Sequence, residues 1–66
     1  MDQPTTDQIK AARTAAGHSA AQAGTLVHTD GRTWRRWELG SGFESGRAMP
    51  LASWELYLIK TGQAQP

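Results

Sequence analysis

The chain has 66 residues, a formal net charge of +1, 38% hydrophobic and 20% charged residues, from which one small folded domain is expected, with no room for a second and no nonspecific polybasic binding. It contains no cysteine, so neither a disulfide framework nor a Cys-rich zinc site holds it together. No stretch approaches the roughly 20 apolar residues of a membrane span, and the opening MDQPTTDQIK lacks the basic-then-apolar pattern of an export signal, so a cytoplasmic protein is expected.

MDQPT has little to bury and is expected to fray. Thr6 is placed to cap a first helix over about 7–16, in which Asp7 suits the positive end of the dipole and Ile9, Ala12 and Ala16 recur at helical spacing. Gly17 stops it. Ser19 caps a second helix over about 20–27, with Ala23, Leu26 and Val27 facing inward. Asp30 caps a third over about 31–39, and Gly40 ends it. GSGFESGRAM, rich in glycine and serine and without period, is a loop over 40–49. Pro50 suits the first turn of a fourth helix over about 50–60, and the tail QAQP has nothing to anchor it. With no alternating strand pattern, the expected fold is all-α, a compact four-helix domain.

The third segment, GRTWRRWEL, mixes its bulkiest apolar side chains with its positive charges. At about 100° per residue counted from Asp30, Trp34 falls near 40° and Trp37 near 340°, whereas Arg35, Arg32 and Arg36 fall near 140°, 200° and 240°, with Leu39 between them. Interleaving in sequence is therefore segregation in space. The tryptophans anchor one face and the arginines present the other.

A capped helix, a short turn and a second helix carrying polar groups is the order of a helix-turn-helix. The run SAAQAGTLVHTDGRTWRRWELG resembles the Cro and phage-repressor (XRE) type of that motif over roughly residues 6–40. Gly24 matches the crowded position where the two helices pass, Val27 and Trp34 match core positions, and Trp37, Glu38 and Gly40 match the closing WExG. Arg13 and Glu38 match a pair that commonly forms a salt bridge in that family. The resemblance implies a shortened lambda-repressor-like domain and a sequence-specific DNA-binding transcriptional regulator, most simply a dimeric, autoregulatory repressor on a palindromic operator. In size and style the chain is similar to small phage and mobile-element autoregulators, anti-CRISPR-associated repressors among them.

The sequence departs from the family pattern in three places. His28 stands where glycine is usual, so strain or an altered turn is expected there. Ala20 replaces a glutamine that often contacts phosphate, leaving Ser19 or Gln22 to substitute. The pattern also runs to a fifth helix, where four are read here.

Carried onto this sequence, base reading falls to Gly31, through its backbone, and to Arg32 and Arg36, whose bidentate pairing with guanine calls for a G·C pair in the half-site. Ser19, Gln22, Thr33, Arg35 and Arg47 are the expected backbone contacts. In the fourth helix Leu51, Trp54 and Leu58 form one stripe and Leu56 and Ile59 another, with Tyr57 between. One small core is not expected to cover all of that surface, so Leu51, Trp54, Tyr57 and Leu58 are assigned to a homodimer contact. A two-fold dimer would offer two recognition helices to half-sites about 34 Å apart.

No enzyme is expected. His18 and His28 have no metal-ligand spacing and no evident nucleophile, and GSGFESG follows a helix and lacks the Gly-Lys-Ser/Thr ending of a phosphate loop. No cofactor, metal, small-molecule substrate or membrane partner is called for. The expected partner is double-stranded DNA, which would place the protein at the nucleoid. The alternative is a protein-interaction or RNA-binding regulatory module, an antitoxin-like adaptor using the same basic helix face.

Overall fold

The computed structural model describes residues 3–40, 42 and 46–64. It contains four α-helices in chain order, α1 Thr6–Ala15, α2 Ala20–Leu26, α3 Gly31–Leu39 and α4 Leu51–Lys60. There is no strand among the described residues, and the protein is an all-α four-helix domain. No helix among the described residues is long and apolar enough to cross a membrane.

Each of the first three helices begins at a side-chain cap. Thr5, not Thr6, caps α1: its hydroxyl accepts the Gln8 amide at 3.1 Å while the Gln8 side chain accepts the Thr5 amide at 2.8 Å. Gln8 stands three residues beyond Thr5, and that spacing decides between the two threonines. Ser19 and Gln22 make the same reciprocal pair at the start of α2. Asp30 accepts the Thr33 amide at 2.8 Å and starts α3. Three other boundaries differ from expectation by one residue, since α1 ends at Ala15, Val27 is the C-cap of α2 and Pro50 precedes α4, while the start of α2, both ends of α3 and the end of α4 fall where expected.

Gly17 at φ 73° lets the chain leave α1. Between α2 and α3 the chain turns through His28 at φ 63°, and the Val27 and Thr29 amides both return to the Gly24 carbonyl, at 3.1 and 2.9 Å. This turn folds α2 closely against α3.

Ile9, Ala12, Ala23, Val27, Trp34, Trp37, Met49, Trp54 and Tyr57 form the core. Met49, in the segment expected to be loop, is 1% exposed and fills the core beside the helices. Trp54 and Tyr57, expected at a dimer contact, are 8% and 0% exposed inside the monomer. The reason is volume. Small alanines of α1 and α2 line the core, so the two large aromatics of α4 are needed to fill it, Tyr57 against the Trp34 ring. Leu51, Leu56 and Leu58 pack against the same core while remaining partly exposed, and Ile59 is 40% exposed.

Candidate nucleic-acid interface

Helix α3 is held on three sides. On its inner face Trp34 is fully buried and Trp37 is 7% exposed, their rings meeting edge to face at 5.6 Å, with Tyr57 4.7 Å from Trp34. Each indole takes roughly 150 to 250 Å² out of water. At about 25 cal/mol per Å² the two are worth several kcal/mol between them.

Polar contacts fix the rotation of the helix. Glu38 accepts the Arg13 guanidinium at 2.6 and 3.1 Å and the Trp34 indole N–H at 2.6 Å. Arg13 also donates to the His18 carbonyl at 3.2 Å, tying α1, the α1–α2 turn and α3 together. The Glu38 carboxylate beside it holds the Arg13 guanidinium above its ordinary pKa, against the opposing effect of burial. The pair implied by the family resemblance is thus present, and it also satisfies a buried indole.

The end of α3 is closed by two amides. Gly40, at φ 84°, donates to the Arg36 carbonyl at 3.1 Å, and Arg47 donates its backbone N–H to the same oxygen at 3.0 Å. Gly46 is buried against Gly40, whose carbonyl a Cβ would strike. The returning chain therefore lies directly along the last turn of α3.

At the other end α3 meets α2 at two glycines. A Cβ on Gly24 would sit 2.5 Å from the Asp30 carbonyl oxygen, and one on Gly31 would sit 3.0 Å from the Ala21 backbone. Gly31, expected to offer its backbone to bases, is also a close-packing residue. Asp30 is held below its ordinary carboxyl pKa by the Thr33 amide and hydroxyl, with a smaller contribution from Arg32.

The outer face carries Arg32 and Arg35, both exposed, and Arg36, half-buried. Among the described residues the only ion pair is Arg13 with Glu38, so none of these three outer arginines is neutralised by a neighbouring carboxylate at salt-bridge distance. The other expected backbone contacts are more committed. Thr33 serves the Asp30 cap, the Ser19 hydroxyl and the Gln22 side-chain oxygen serve the α2 cap, and Arg47 donates to the Gly46 carbonyl at 2.6 Å. Residues 41 and 43–45 of the glycine-rich loop, and with them most of GSGFESG, lie outside the described residues.

Two contacts near this assembly had no clear signal in the sequence. His18 Nδ1 lies 3.0 Å from the buried Tyr57 hydroxyl, and Lys60 donates to the Leu26 carbonyl at the end of α2 at 2.7 Å. Both join residues far apart in the chain, where periodicity says nothing. Comparison with known proteins returns no matching family model and no similar curated protein.

Proposed function

We propose that the protein is a sequence-specific DNA-binding transcriptional regulator, a dimeric repressor that acts on a palindromic operator near its own gene. One observation carries the reading. A helix clamped by Trp34, Trp37, Glu38 and Gly40 presents Arg32, Arg35 and Arg36 outward without a carboxylate partner among the described residues. Clamped arginines lose less freedom on binding than arginines on a loose helix, and their guanidinium forks match guanine edges and phosphates. The close α2–α3 turn and the resemblance to the Cro-type motif support the same reading.

In this proposal Arg32 and Arg36 read bases, with the Gly31 backbone beside them, and Arg35 holds phosphate. Ser19, Gln22, Thr33 and Arg47 have secondary parts, since their polar groups already serve the fold. Self-association falls to the apolar side chains that α4 leaves outside, Leu51, Leu58 and Ile59, in place of Trp54 and Tyr57. No catalytic role is assigned to His18 or His28.

The test is a fluorescence-anisotropy titration against duplex DNA from upstream of the protein's own gene, at two salt concentrations with competitor DNA. Binding that survives competitor and steepens at low salt supports the reading. Weak binding that salt erases, equal for every sequence, would favour a protein- or RNA-interaction module instead.

A further inference from the structure

Leu39 is 44% exposed, the most exposed large apolar side chain among the described residues. It lies seven residues after Arg32, four after Arg35 and three after Arg36, the spacing of one helix face. The outward stripe of α3 is therefore three arginines that continue into a leucine. The face that buries Trp34 and Trp37 points the other way, so Leu39 does not contribute to the core.

We propose that Leu39 is a specificity residue that packs on the C5-methyl group of a thymine in the half-site, a few ångströms along the groove from the base read by Arg36. This rests on the DNA-binding reading above. The major groove displays one apolar group, the thymine methyl, and apolar side chains are what recognise it. Leu39 lies one turn beyond Arg36, about 4.5 Å along the helix at about 1.5 Å per residue, so a groove that admits the Arg36 side chain brings Leu39 within a base step or two of it. The Arg47 amide on the Arg36 carbonyl and the Gly40 turn hold the last turn of α3 in shape, which fixes Leu39 relative to Arg36.

Charge decides between DNA and a second copy of the chain as the occupant. A two-fold contact centred on Leu39 would bring the same arginines face to face, and like charges at such distances repel. An anionic duplex meets the arginines and the leucine together.

The experiment starts from the duplex that the wild-type protein enriches from a random pool. Each thymine in that duplex is replaced singly by uracil, which keeps the pairing and removes only the methyl. One position per half-site is expected to lose about fourfold in wild-type affinity. Leu39→Ala should bind the thymine and uracil duplexes equally at that position, whereas Arg36→Ala should bind more weakly but keep the fourfold ratio. Thermal melting of Leu39→Ala should match wild type, because the side chain is exposed. An enriched duplex with no methyl effect, or a methyl effect that persists in Leu39→Ala, would overturn the assignment while leaving DNA reading intact. Failure to enrich any duplex would overturn both.

Discussion

The Glu38 carboxylate accepts the indole N–H of Trp34, one turn earlier on the same helix, at 2.6 Å. Its other partner is Arg13 of α1, and the two side chains of that ion pair are only 22% and 17% exposed. One carboxylate thus satisfies a buried donor and aligns α3 on α1. Glu38→Ala strands both donors and is expected to cost about 2 to 4 kcal/mol in urea unfolding. Glu38→Gln keeps an acceptor and should cost less. Equal stability of Glu38→Ala and wild type would show that the network positions nothing.

Gly24→Ala sets two effects against each other. Alanine is the better helix former by about 1 kcal/mol. Its Cβ, however, would stand 2.5 Å from the Asp30 carbonyl oxygen, part of a backbone that the turn hydrogen bonds hold in place. Overpacking of this kind costs about 1 to 3 kcal/mol, so the clash should win and the variant should melt lower than wild type. A higher melting temperature would contradict the closeness of the α2–α3 turn.

His28 adopts φ 63°, where an L side chain is strained and glycine is not. His28→Gly is expected to stabilise the domain by about 1 kcal/mol, raising the melting temperature by roughly 4 to 8 °C. His28→Val should lower it, since a β-branched residue tolerates that region least. A destabilised glycine variant would mean that the imidazole makes a contribution larger than the strain it causes.

Tyr57 is the chain's one tyrosine, so its ionisation can be followed directly by ultraviolet absorbance. Burial pushes its hydroxyl above the ordinary value of 10.0, Arg13 pulls it back, and Glu38 adds to the rise. The folded state therefore favours the neutral phenol more than the unfolded chain does. That contribution is complete below about pH 10 and is lost as pH rises through the folded value. Tyrosinate absorbance and loss of the helical circular dichroism are expected to rise together, on the alkaline side of the ordinary range. Ionisation at the ordinary value with the helices intact would contradict the buried placement.

The α2–α3 unit was the most legible part of the sequence because its signals are local. Ser19 and Asp30 cap where capping residues should, Gly24 marks the close approach, and the wheel separated Trp34 and Trp37 from the arginines. The first cap falls one residue before the expected Thr6 because Thr5 and Thr6 are both able to cap, and only the reach of Gln8 distinguishes them. Helix α4 was harder. Apolar residues surround it, so the wheel offered no single inward face, and Trp54 and Tyr57 went inside because the alanine-lined core needed their volume. Met49 carried no periodic signal, and the contacts of His18 with Tyr57 and Lys60 with Leu26 exist only in the folded chain.

On the proposed reading Arg32 and Arg36 read bases while Arg35 holds phosphate, and the most direct measurement compares Arg36→Ala with Arg35→Ala on an enriched duplex and on unrelated DNA. Arg36→Ala should lose about 1 to 3 kcal/mol of discrimination, weakening specific binding far more than nonspecific binding. Arg35→Ala should weaken both alike and reduce the salt dependence. Equal losses on both duplexes for Arg36→Ala, or the absence of any preferred duplex for the wild type, would contradict that reading.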